Sequence, residues 1–535
     1  AIGRGKLRLQ LDLALNDLSK TRGAGEYQFA GNTLTVDPRL SPIERAAGRV
    51  SFTESTLTVT DVRGQLFGDQ VRISGGSRPE TGVAIQAEGR ATIEGIRPLF
   101  DHPWRRRLAG AARYVASINV KDGRSQLTFD STLEGVSSTL PSPLAKAAAD
   151  VLPLRIEVFP GEGRDRVSMS LRPATGRIVA AEFLRVAQGG GAAANAPQVQ
   201  RSLVMLNPVA GETPRIPERR GMTVRGSLPA LDLDRWLPLF AEGGGDEGAS
   251  FDLKLGVLDA LGKRMRGVTL QGVADGVGWS ASMTTAEFEG DLVYRGEGSG
   301  RLMARLSRFS VPEDSPGAKQ GEAAKDLPAV DIVAESFVHR GRKLGRIEVQ
   351  ARHEGSDPRG KEQRAWRIEK LAMTNPDSSL TGSGLWKQGE GSRTTLAFKL
   401  DVSDVGLFLD RFGYPEHLKG GRGKLEGTLN WNGDPVNIDY ATLAGNLQMQ
   451  AEDGQFLEIE PGIGKLVSLM SLQMLPRRIA LDFRDVFSKG FKFDRIASNM
   501  AIERGVMGVK EFHMRGPAAD VNMTGQIDLS LETQN

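Results

Sequence analysis

A two-residue alternation of apolar and polar side chains recurs from one end of this 535-residue chain to the other, and it leaves few folds open. Val83, Ile85, Ala87, Gly89, Ala91 and Ile93 share one parity, with Gln86, Glu88, Arg90 and Thr92 between them. Leu127, Phe129, Ser131 and Leu133 repeat the pattern, as do Val167, Met169 and Leu171, then Phe251, Leu253, Leu255 and Val257. It returns in Leu396, Phe398, Leu400 and Val402, in Leu425, Gly427, Leu429 and Trp431, and in Leu443, Gly445, Leu447, Met449 and Ala451. The chain closes with Val521, Met523, Gly525, Ile527, Leu529 and Leu531. Successive strand residues point to opposite faces, so each run reads as a strand with one apolar and one wetted side.

Strands of that kind usually pair antiparallel with one face in water. Hairpin-like turns are expected at Asp122-Gly123, Asp453-Gly454 and Arg504-Gly505. Helical stretches are predicted at 97–113, 143–152, 232–240, 403–412 and 461–475, too little to blanket so much apolar sheet. A second sheet, closure into a barrel, or a hydrophobic ligand must cover the rest. Glycine supplies 65 residues without a collagen period, which suits many turns and bent strands.

A degenerate repeat runs through the chain. Val402 to Leu409 leads into Leu418–Trp431, Ile93 to Phe100 leads into Leu108–Ala116, and Leu231 to Phe240 leads into Phe251–Val257. Each unit is a strand end, a short amphipathic helix, a glycine and a new strand, the kind of unit that stacks in one dimension. Flexible linkers are expected at 188–197 and 242–248, and loop insertions at 312–328 and 354–363. The divisions expected are 1–155, 156–330 and 331–450, each of sheet repeats with short helices or insertions, and 451–535, a C-terminal region around the apolar helix 461–475.

Composition removes several function classes. There is no cysteine, hence no disulfide, thiolate metal site or Cys nucleophile. A net charge of +3 from 69 basic and 66 acidic residues lacks the concentrated basic face of a nucleic-acid binder. Arg105-Arg106-Arg107, Arg219-Arg220 and Arg477-Arg478 read as solvated surface or lipid-headgroup contacts. His102, His339, His353, His417 and His513 are far apart, and no HExxH pair occurs. Gly462-Ile463-Gly464-Lys465-Leu466 lacks the first glycine and the Ser/Thr of a phosphate loop, and no G-x-S-x-G elbow is present. Asp482 and Asp485 beside Arg484 read as surface ion pairs. The chain is therefore read as a non-enzyme with no catalytic residue, no metal site and no cofactor. No run reaches the ~18 apolar residues of a membrane-spanning helix. The chain opens Ala1-Ile2-Gly3-Arg4, and an export or anchor segment is expected upstream of it.

The C-terminal stretch carries a resemblance. Asp453-Gly454-Gln455-Phe456, Glu460-Pro461-Gly462, Ser471-Leu472-Gln473-Met474-Leu475-Pro476-Arg477-Arg478, Asp482-Phe483-Arg484-Asp485-Val486-Phe487, Lys489-Gly490-Phe491 and Gly516-Pro517-Ala518-Ala519 resemble the AsmA-like family in its YhdP branch. Ser131-Thr132-Leu133-Glu134-Gly135-Val136 and Leu140 to Lys146 are similar to the same branch. The resemblance implies an inner-membrane-anchored envelope protein of Gram-negative bacteria, whose periplasmic part moves phospholipid between inner and outer membranes. It implies a mainly β fold: an elongated, repetitive, curled antiparallel β-sheet forming a hydrophobic groove, with a few short helices. The partners implied are phospholipid and the two membranes, the anchor helix lying outside this chain; nucleic acid is not among them, and envelope protein partners are left open.

On that reading the lipid-binding residues are Val83, Ile85, Leu127, Phe129, Val167, Met169, Phe251, Leu253, Leu396, Phe398, Leu429, Leu447, Met449, Ile527 and Leu529. Leu466, Leu469, Met470, Leu472, Met474 and Leu475 form a helix that either gates the groove or inserts in a membrane, the alternative being ordinary packing on the sheet end. The other function considered is a β-rich periplasmic scaffold or outer-membrane assembly factor that binds protein partners. A bulge between strands would flip every later side chain to the other face.

Overall fold

The structure, a computed structural model, describes residues 2–12, 22–35, 41–78, 82–97, 99, 102–121, 124–161, 164–172, 179–186, 198–209, 212, 214–242, 248–297, 300–311, 313–314, 328–339, 341–354, 365–387, 391–435, 437–457, 491–517, 520–529 and 533–534. The fold is mainly β, with thirty-one strands and two short α-helices among these residues. They separate into two compact units: Ala1–Ala260 with Gly267–Gly276, and Leu261–Arg266 with Val277–Asn535.

The first unit opens with β1 (Gly5–Asp12), β2 (Arg22–Leu34), β3 (Ile43–Thr53), β4 (Leu57–Leu66), β5 (Asp69–Arg78) and β6 (Gly82–Thr92). Then come β7 (Leu108–Lys121), β8 (Arg124–Ser131), β9 (Val136–Ser138), β10 (Leu154–Gly161), β11 (Arg164–Leu171), β12 (Val179–Val186) and β13 (Gln198–Leu206). β14 (Gly221–Asp232), α1 (Leu233–Glu242) and β15 (Ala249–Ala260) complete it, apart from part of β16 (Lys263–Asp275). Neighbours in sequence pair antiparallel from β1 through β8, β10 takes the place beside β8, and antiparallel pairing resumes to β13. β9 instead pairs with the start of β7.

The second unit holds β17 (Gly278–Thr284), β18 (Phe288–Arg295), β19 (Arg301–Ser310), β20 (Glu313–Asp314), β21 (Ala329–His339), β22 (Arg342–Glu354), β23 (Ala365–Asn375), β24 (Ser378–Lys387) and β25 (Arg393–Val402). α2 (Val405–Arg411), β26 (Leu418–Asn432), β27 (Ala444–Phe456), β28 (Phe491–Glu503), β29 (Val506–Arg515), β30 (Asp520–Asp528) and β31 (Thr533–Gln534) follow. β20 pairs with the first residues of β16 and stands aside from the main ladder.

The antiparallel pairing expected of such strands holds for most pairs, with exceptions. β13–β14, β14–β15 and β19–β21 pair parallel, so the sheet is mixed. A parallel neighbour needs a connection that returns the chain to the same end, and segments 207–220, 233–248 and 311–328 supply those crossovers. Two helical expectations also fail. The described residues of 97–113 form turns, a 3-10 helix at Pro103–Arg107 and the start of β7, and 143–152 form turns around an isolated bridge at Lys146. Both stretches spend their polar backbone groups on neighbouring segments, Lys146 N on Ser138 O and Ile93 N on Gly110 O. The stretches at 232–240 and 403–412 become α1 and α2.

Arg504-Gly505 is a two-residue turn with both residues at positive φ, 49° and 78°, as a hairpin between twisted strands requires. Asp453-Gly454 is not a turn: it lies inside β27. A Cβ on Gly454 would sit 2.3 Å from the Phe493 ring, so glycine there lets that ring close over the strand.

Core clusters also form where strand ends meet helices and turns. Trp236 and Leu239 of α1 bury against Leu140 and Trp104. Val405 and Leu409 of α2 pack on a cluster of Leu418, Phe456, Phe491, Phe493, Ile496, Phe512 and Met514. Asp404 caps α2 by accepting from Leu407 N at 3.0 Å, and Arg411 Nε donates to the buried Asp377 at 3.1 Å, tying the helix to the β23–β24 turn.

Candidate functional site

Strand register turns the alternation of single strands into continuous apolar rows. In the first unit one row runs Leu7, Tyr27, Val50, Val59, Gly75, Ile85, Ile118, Leu127, Val158, Val167 and Phe183, each directly opposite the next. Beside it lie Val62, Ile73, Ala87, Ala116, Phe129, Ile156, Met169, Ala181, Val204, Val224 and Phe251. A third row carries Val71, Gly89, Tyr114, Ser131, Leu154, Leu171, Val179, Leu206, Gly226 and Leu253.

The second unit repeats the arrangement. Leu302, Val330, Ala351, Ile368, Gly384, Leu396, Leu429, Gly445, Ile502, Met507 and Ile527 form one row. Leu292, Ala304, Ile332, Val349, Leu371, Gly382, Phe398, Gly427, Leu447, Met500 and Val509 form the next. Leu306, Ala334, Ile347, Met373, Leu380, Leu400, Leu425 and Met449 make a third.

The sequence-derived lining residues fall on these faces. Ile85, Leu127 and Val167 share one row of the first unit, and Phe129, Met169 and Phe251 the next; Leu253 lies in the third, and Val83 pairs with Val120 at the margin. In the second unit Leu396, Leu429 and Ile527 share a row, Phe398 and Leu447 the next, and Met449 the third. Leu529 packs beside Ile527 against the Trp431–Met500 cluster. Most of these side chains are half-buried; Leu253 and Ile527 are buried. A face sealed by a second sheet would be buried throughout, whereas these rows keep part of their surface open. The gate-helix residues Leu466, Leu469, Met470, Leu472, Met474 and Leu475 lie outside the described residues.

Plain parity misses part of each row because of bulges. Val59 and Val62 face the same side, three residues apart, because β4 carries an extra residue against β5, with Asp61 at φ 48°. Ile368 and Leu371 do likewise on β23, and Val509 and Phe512 on β29. An odd spacing of apolar residues inside an otherwise alternating run is the signal that marks such a bulge. Phe67 was also missed: it sits in the β4–β5 turn at φ 56° and meets Tyr114 and Phe129 edge-on, while the latter two rings stack 5.0 Å apart.

The opposite face is wet and laddered by ion pairs. Arg72 meets Asp61 at 2.6 Å, Arg155 meets Asp130 at 3.6 Å, Arg352 meets Glu369 at 2.6 Å and Arg422 meets Asp453 at 2.8 Å. Arg63 hydrogen-bonds Asp61 as well and, with Arg72, holds its carboxyl below the usual range against an opposing desolvation. Lys146, Asp165 and Glu182 are buried charges elsewhere in the first unit. Burial pushes the Glu182 carboxyl up, with Arg166 at 3.3 Å pulling the other way. Burial also lowers the Lys146 ammonium, which donates to Val136 O at 2.8 Å and Ala147 O at 2.9 Å. These are structural ties. Among the described residues no group of three or more His, Asp or Glu side chains is placed to hold a metal ion, and no helix is long and apolar enough to cross a membrane.

The YhdP protein family matches the chain over residues 1–535. The chain is a member of the YhdP family. A curated relative, the intermembrane phospholipid transporter YhdP of Escherichia coli (strain K12), is 24% identical over 556 residues, which cover 98% of this chain. This YhdP-family chain spans 42% of that relative's length. No solved structure matches it. The relative's name describes a phospholipid transporter.

Proposed function

We propose that the chain is a segment of a bridge-like lipid conduit, and that its apolar rows hold the acyl chains of phospholipid passing between the inner and outer membranes of a Gram-negative cell. The observation that carries this is the register itself: three adjacent apolar rows in each unit, half-buried, backed by a charged face. Acyl chains lying along such rows leave water while a headgroup stays in it. Each buried methylene contributes about 0.8 kcal/mol, so two chains bind by many kcal/mol without a polar contact. A row that continues from strand to strand lets a lipid advance without returning its chains to water, which keeps the barrier to movement low. Charged residues on the other face keep the protein soluble and give the lipid no competing apolar surface. The relative's description as an intermembrane phospholipid transporter supports the cargo and an envelope location.

Organic extracts of the purified chain, analysed by mass spectrometry, test the reading. Phospholipid is expected in stoichiometric or greater amounts after detergent-free purification. A lipid-free protein of unchanged fold overturns it and favours the protein-binding scaffold.

A further inference from the structure

On the wet face of the first unit, opposite the apolar rows, three arginines stand without a partner. Arg90 of β6 and Arg113 of β7 are directly opposite each other in register. Arg172 follows β11 in the same lateral line, because Ser131 pairs with Leu154, Leu154 pairs with Leu171, and Arg172 N bonds Pro153 O. From β7 to β11 is three strand steps, about 14 Å. All three side chains are exposed, and among the described residues none of them makes an ion pair or side-chain hydrogen bond. Like charges directly opposite on a sheet repel each other. Arg72 and Arg155 of the same face each meet a carboxylate, Asp61 and Asp130.

The three guanidiniums border a surface cavity of about 980 Å³ that Arg72 and Arg155 also line. Its carboxylates are already engaged. Asp130 faces Arg155 at 3.6 Å, Glu88 accepts from Gln86 Nε2 at 2.8 Å, and Asp69 accepts from Gln70 N at 2.7 Å. Five arginines against three carboxylates leave a hollow of net positive charge with two adjacent planar forks at its edge. Such forks match the oxygens of a phosphate bidentately.

We propose that this hollow is an anion site for a multiply charged phosphate or diphosphate group, with Arg90 and Arg113 as its clamp and Arg172 as a second contact for an extended ligand. The site lies on the face away from the acyl-chain rows and does not depend on lipid passing along them.

Calorimetric titration of the intact chain with inorganic pyrophosphate provides one arm of the test. Co-sedimentation with phosphatidylcholine vesicles, with and without phosphatidic acid, provides the other. Saturable pyrophosphate binding, weakened about tenfold or more in R90Q/R113Q and to a smaller degree in R172Q, assigns a soluble phosphate ligand. Sedimentation only with phosphatidic acid vesicles, lost in the same variants, assigns a lipid headgroup. R124Q, on the same sheet away from the hollow, is expected to behave as the parent in both. Absence of binding in both arms, or binding unchanged in R90Q/R113Q, overturns the proposal. Circular dichroism and the lipid content of extracts are expected to match the parent in every variant, which separates failure here from failure of the conduit reading.

Discussion

Glu182 shows how a single buried side chain acquires a cost. On β12 its neighbour Ala181 and its partner across the ladder, Leu203 of β13, are both almost fully covered, and the carboxylate meets Arg166 at 3.3 Å in return. A carboxyl whose folded value is raised binds more protons folded than unfolded between the two values. Its stabilising effect is therefore full below the unfolded value of 4.5 and is lost as pH rises through the raised folded value. Glu182→Gln removes that titration. The variant's melting temperature is expected to fall less than the parent's between pH 4 and pH 8, the parent being relatively less stable at the upper end, as measured by thermal unfolding across ~4 pH units. Equal slopes in the two proteins would show that Arg166 offsets the desolvation.

At the scale of elements, the two helices act as plugs at strand ends rather than as a layer over the sheet. α2 is seven residues long, too short to be stable alone, and relies on its cap, its tie to Asp377 and the apolar cluster beneath it. Asp404→Ala removes the acceptor for Leu407 N and is expected to cost about 1 kcal/mol. Arg411→Ala strands the buried Asp377 carboxylate and is expected to cost about 3 kcal/mol, a larger loss because the partner left behind is charged. Denaturant titration of both variants checks the order: a cap worth more than the ion pair would contradict it. The parallel pairs belong to this scale too. They occur where a crossover returns the chain to the same end, as α1 does between β14 and β15.

At the scale of the whole chain, the same device recurs in both units: apolar rows on one face, ion-pair ladders on the other. Neighbouring residues of one strand therefore have opposite duties, and β25 offers a direct comparison. Phe398 is half-buried in the middle row of the second unit, while Ala397, one residue away, is exposed on the wet face. Phe398→Asp is expected to strip most co-purifying phospholipid, and Ala397→Asp to leave it unchanged, with the same far-UV circular dichroism in both. An equal loss from the two, or from neither, would remove the connection between the apolar rows and lipid.

The sequence by itself determined that the chain is mainly β, that its strands have one apolar and one charged face, and where α1 and α2 lie, because a local two-residue or 3.6-residue period is written in consecutive side chains. It also carried the family resemblance, in motifs such as Gly516-Pro517-Ala518-Ala519. Only the tertiary structure decided which residues stand side by side. The parallel joins depend on where a crossover returns, and the bulges at Asp61 and between Ile368 and Leu371 depend on the partner strand that lacks the extra residue. The helical expectations at 97–113 and 143–152 failed for the same reason: a short amphipathic run becomes a turn or a strand when neighbouring backbone offers its groups better partners. The juxtaposition of Arg90, Arg113 and Arg172 was equally hidden, since it depends on the register of each pair and on β10 taking the place beside β8.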